Sequence, residues 1–161
     1  LFPSIEIIIS PRGVLLKYFN PDVDNELYFT AQMPHEWEVG TDIRPHVHWV
    51  APSDGGVGEK VSWGLEYTWS NTGELFGDTT IIYKNDNIFS EDILKDKSYI
   101  TNLGMIDATG KGLSSMLVCR IFRDAESNGL TDNYSDFVGL LEIDFHYKRD
   151  SFGSSGEFVK Y

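Results

Sequence analysis

In Val61-Ser62-Trp63-Gly64-Leu65-Glu66-Tyr67-Thr68-Trp69, large apolar side chains take every second position and small or polar ones the positions between. Successive side chains of a β-strand point to opposite faces. The spacing therefore puts Trp63, Leu65, Tyr67 and Trp69 on one buried face and Ser62, Gly64, Glu66 and Thr68 on the other. A helix would scatter the same residues around its circumference, leaving no apolar stripe.

The same period recurs on both sides of this segment. Residues 5–10, 14–19, 26–32 and 43–50 read as strands, the first two divided by Pro11-Arg12-Gly13. Residues 79–83, 99–106, 113–123 and 137–147 continue the pattern, and residues 157–161 suit an edge strand. Helix is expected only as one turn at residues 34–37 and as a short element within residues 86–97. Many short strands with irregular loops predict an all-β fold, a jelly-roll-like two-sheet antiparallel sandwich, with residues 1–161 in a single domain. The apolar phase of the strands assigns Trp49, Trp63, Leu65, Tyr67, Trp69, Leu117, Leu141, Ile143 and Phe145 to the core.

Composition narrows the function. With 161 residues, 41% of them apolar, the chain can bury a core without disulfides or metals. Its one cysteine, Cys119, excludes an intrachain disulfide, so folding needs no oxidising compartment. Within Leu117-Val118-Cys119-Arg120-Ile121, Cys119 reads as a small buried residue rather than a nucleophile. A net charge of −12 repels phosphate backbones, so nucleic acid is not an expected partner. No run approaches the roughly 20 apolar residues of a membrane-spanning helix, so no membrane partner is expected either. Residue 1 is Leu, which leads to the expectation that an N-terminal piece has been removed.

The strongest candidate for chemistry is Arg44-Pro45-His46-Val47-His48-Trp49. On a strand, His46 and His48 share a face while Val47 and Trp49 point to the core. Two such imidazoles can ligate a transition metal, as in cupin-like metal-binding proteins, which add a carboxylate and a more distant histidine. If residues 43–50 and 61–69 form a hairpin, His46 faces Glu66 and His48 faces Gly64. The candidate metal ligands are therefore His46, His48, Glu66 and His146. All three histidines fall on polar faces, which argues for exposed or interface histidines and against an enclosed catalytic metal. No cofactor is expected other than a transition metal held at His46 and His48.

Asp124-Ala125-Glu126-Ser127-Asn128-Gly129 begins like a calcium loop, but its twelfth position is Ser135 and its flanks are strands, so an acidic loop is expected. Trp37, beside Pro34 and outside a clear strand, is the candidate exposed aromatic for binding a sugar. No nucleophile–base arrangement, phosphate loop or dinucleotide fingerprint is present, so no enzymatic activity is expected.

Three stretches, Met33–Trp37 with Pro45–Trp49, Trp63–Trp69, and Ser114–Asp124 with Leu141–Tyr147, together resemble a family of functionally unassigned proteins encoded by tailed bacteriophages, often near virion structural genes. The resemblance covers nearly the whole chain. It implies a virion component, a head decoration, head fibre or tail appendage, made in the host cytoplasm. It supplies no catalytic residues, and it leads to the expectation that an N-terminal segment usual in the family is missing here. The expected partners are further copies of the chain, as a trimer, and other virion proteins. The alternative is a carbohydrate- or receptor-binding module of a fibre, with a host-surface glycan as partner.

Overall fold

A computed structural model describes residues 7–9, 15–85 and 92–160. Its strands are β1 (Ile7–Ile9), β2 (Leu15–Phe19), β3 (Glu26–Gln32), β4 (Arg44–Val50), β5 (Trp63–Ser70), β6 (Thr80–Lys84), β7 (Ser98–Asn102), β8 (Met116–Arg123) and β9 (Val138–His146). No helix occurs among the described residues. The strands form a five-stranded sheet, β1-β2-β9-β4-β7, and a four-stranded sheet, β3-β8-β5-β6, with every pairing antiparallel.

Strand β2 pairs with β9, β3 with β8, β4 with β7, and β5 with β6. That nesting is one long antiparallel hairpin rolled across two layers, and β4·β9 and β5·β8 contacts close each sheet laterally. It is the jelly-roll wrap expected from the strand pattern. One consequence governs the site: β4 and β5 are neighbours in sequence but lie in opposite sheets. The expected hairpin between them does not form.

The apolar faces meet between the layers. Val47 and Trp49 of β4 face Trp63, Leu65 and Trp69 of β5, and all five are buried. Aromatic contacts tie the sheets together: Phe19 of β2 meets Trp63 edge-on at 5.2 Å, and Phe29 of β3 meets Phe145 of β9 at 6.2 Å. Tyr67, Ile143 and Phe145 are partly buried against this core, on the expected face.

Leu141 departs from the expected core. It is 44% exposed. His48 pairs with Glu142 but Trp49 pairs with Leu140, so Leu141 is the extra residue of a β-bulge. A bulge reverses the in–out phase of the strand across itself. Val138 and Leu140 therefore point inward on one side, Ile143 and Phe145 on the other, and Leu141 turns out.

The remaining differences lie in the connections. Residues 34–36 form a turn rather than a helical one, and residues 92–97 carry no helix; residues 86–91 lie outside the described residues. Residues 157–160 add no strand. Instead the Lys160 ammonium donates to the Trp37 carbonyl and to Asp150. Gly64, expected to face His48, is instead covered by Phe122 of the neighbouring β8, whose ring atom Cζ lies 2.2 Å from where a β-carbon would stand.

Candidate functional site

The outward face of the five-stranded sheet collects the histidines. In the β4·β9 ladder His46 stands opposite Asp144, His48 opposite Glu142, and Arg44 opposite His146. On the other flank of β4, Asn102 and Ile100 of β7 oppose His46 and His48. Pro45 supports this geometry. Its missing N–H would point the same way as its carbonyl, which accepts from Leu103 N beyond the end of the β4·β7 ladder, so no ladder bond is lost.

Asp144 is the hub. Its Oδ1 lies 2.8 Å from His46 Nε2 and 4.0 Å from His146 Nε2, and its Oδ2 lies 3.7 Å from His48 Nε2. The His46 ring centroid is 4.4 Å from that of His146 and 4.9 Å from that of His48. Donor atoms of His46, Asp144 and His146 all lie within 4.8 Å of one another. Although His46 is close, the contact is not aligned as a hydrogen bond, and the buried Oδ1 accepts none.

The environment is graded. His46 is 8% exposed, walled in by the strands on both sides, whereas the side chain of His146 is 73% exposed at the rim. Burial pushes the His46 imidazolium below its ordinary value. Asp144 and Glu142 act in the other direction, while His146 and His48 add to the depression. The shift favours the neutral imidazole, the form that can ligate a metal. Beside His146 an open depression is lined by Thr41, Asp42, Arg44, Met105 and Tyr147.

Of the expected metal ligands, His46, His48 and His146 come together and Glu66 does not. Glu66 lies on the other sheet, where its carboxylate accepts from Arg120 Nε at 2.8 Å and from Thr79 Oγ1 at 2.6 Å. The carboxylate that joins the histidines is Asp144, which sequence reasoning missed as a ligand. The only sequence signal for it was its place two residues before His146 on the same face of one strand.

Trp37 is not an exposed aromatic. It is 0% exposed, its indole N–H donates to Thr41 O at 3.0 Å, and its ring packs 5.9 Å from Trp69. The segment joining β3 to β4 must cross from one sheet to the other, and Trp37 closes the core beneath that crossing. Trp49, Trp63 and Trp69 are buried as well, so no tryptophan of the chain is available to stack on a sugar.

Asp124 is accounted for within the fold. It is fully buried and accepts from the backbone N–H groups of Asn128, Gly129 and Leu130 and from Ser62 Oγ. These bonds pin the loop to Ser62, just ahead of β5, and leave the carboxylate satisfied without an ion. Burial pushes the Cys119 thiol up to about 12, which keeps it protonated and unreactive. No protein-family model, curated protein or solved structure matches the chain.

Proposed function

We propose that the chain is a non-enzymatic assembly module of a tailed-bacteriophage particle, serving as head decoration, head fibre or tail appendage. It works through contacts with further copies of itself, as a trimer, and with neighbouring virion proteins. It is made in the host cytoplasm and resides in the virion.

The observation that carries this reading is the outward face of the four-stranded sheet. Tyr28 is 63% exposed there, and Val118 and Ile81 are exposed beside it. Across the same face Arg120 pairs with Glu26 at 2.6 Å and with Glu66 at 2.8 Å. Arg120 thus offsets one of the two carboxylate charges and leaves the face with far less than the chain's net charge of −12, so it can meet another chain. Strands β3 and β6 end this sheet, and each leaves a ladder edge that no strand of the sheet pairs. The resemblance to phage virion proteins supports the same reading. The glycan-binding alternative loses its chosen aromatic with the burial of Trp37.

Analytical ultracentrifugation of the purified chain and electron microscopy of the intact particle test this. A trimer of about 55 kDa is expected, three times 18.2 kDa, dissociating in Tyr28→Asp/Val118→Asp. A monomer in solution that also makes no like-chain contact in the particle overturns the reading.

A further inference from the structure

We propose that His46, Asp144 and His146 form a binding site for one divalent transition-metal ion of the zinc class per chain. The site stands independently of any role in a phage particle.

Three observations converge on it. The first is the donor set. Two imidazoles and one carboxylate suit zinc, nickel, copper and iron rather than calcium or magnesium, which favour all-oxygen shells. The second is spacing. Ligand atoms about 2.0–2.1 Å from a tetrahedral zinc stand about 3.3 Å from one another. The separations here, 2.8 Å from Asp144 Oδ1 to His46 Nε2 and 4.0 Å to His146 Nε2, lie on either side of that value. All three donor atoms lie within 4.8 Å of one another, so side-chain shifts on the order of 1–2 Å would bring them to tetrahedral spacing. His146, on the exposed rim, has the freedom to make that shift, while β4 and β9 hold His46 and Asp144 opposite each other in the ladder.

The third observation is the orphaned carboxylate oxygen. Asp144 Oδ1 is buried and accepts no hydrogen bond, although two imidazole nitrogens face it. A buried carboxylate oxygen without a donor is costly, and a cation among the three groups removes that cost. His48 Nε2 lies 3.7 Å from the other oxygen, Oδ2, just outside the three-group cluster. Three protein ligands leave at least one coordination position on the outer face, open to water or to a donor from another molecule.

The test uses the full chain without an affinity tag. Isothermal titration with Zn²⁺ measures affinity and stoichiometry, and Co²⁺ reports geometry through its visible absorption. One ion per chain with micromolar or tighter affinity is expected. His146→Ala and Asp144→Asn should each weaken binding at least 30-fold. His146→Ala is the decisive variant, because its exposed side chain can be removed without disturbing the core. His35→Ala is the control. His35 lies elsewhere, bonded to Ser114 and Ser154, and its loss should leave binding unchanged. Absence of Zn²⁺ binding at 1 mM overturns the proposal. So does binding that survives both His146→Ala and Asp144→Asn, or binding that His35→Ala abolishes.

Discussion

Trp63 is enclosed completely, with Phe19 of the facing sheet edge-on to it at 5.2 Å. Truncating such a residue removes its transfer free energy and leaves a cavity that the two sheets cannot fully close. Trp63→Ala is expected to cost about 3–5 kcal/mol in denaturant unfolding. The indole Nε1 is buried and donates to no described group, so Trp63→Phe should cost much less. Leu141 is the opposite case. It projects from the bulge with little apolar contact to lose, and Leu141→Thr should stay within about 0.5 kcal/mol of wild type. A large loss at Leu141, or none at Trp63, would mean that the in–out phase of these strands is wrong.

At the scale of the element, β8 is held to β3 and β5 on its outer face by one side chain. Arg120 donates to Glu26 of β3 and Glu66 of β5, and its guanidinium also covers the Phe122 ring at 4.4 Å. Partial burial pushes Glu26 up, but hydrogen bonds from Arg120 and Tyr28 outweigh it and hold the carboxyl below its ordinary 4.5. Glu66 is held below 4.5 foremost by the Thr79 hydroxyl, then, against partial burial, by Arg120. A carboxyl whose folded pKa is depressed binds protons more tightly in the unfolded chain. Its stabilisation is present above the unfolded value and is lost as pH falls through the folded one. The pairs are about a quarter exposed, so solvent screening limits their worth. Arg120→Met is expected to cost about 1–2 kcal/mol at pH 7 and clearly less at pH 3.5. Equal losses at both pH values in guanidinium titrations would show that Arg120 acts through packing alone.

Across the whole molecule, Arg123 joins the two layers. It is fully buried at the end of β8 and binds Asp132 bidentately, Nε at 2.9 Å and Nη2 at 2.8 Å. It also donates to the carbonyls of Phe19 in β2, of Asp136 and of Tyr134. One guanidinium thus links the four-stranded sheet, the five-stranded sheet and the 132–136 segment leading into β9. Removing one partner of a buried pair strands the other charge. Arg123→Met should cost about 3–5 kcal/mol, and adding Asp132→Asn should recover part of it. A loss under about 1 kcal/mol in urea unfolding would mean that solvent reaches Asp132.

The sequence by itself determined what is local. Alternation of side chains follows from the backbone of a single strand. It therefore revealed the all-β class, most strand positions, the inward face of Trp49, Trp63, Leu65 and Trp69, and the shared face of His46 and His48. Only the tertiary structure decided which strands lie side by side. The jelly-roll wrap parts β4 from β5 and sets β4 between β7 and β9, which replaces Glu66 by Asp144 beside the histidines. Likewise the bulge that turns Leu141 outward exists only because β9 must match β4, and Trp37 is buried only because its connection crosses from sheet to sheet. Neighbours in a sheet are chosen by burying two faces at once over long sequence separations. No window of a few residues contains that choice.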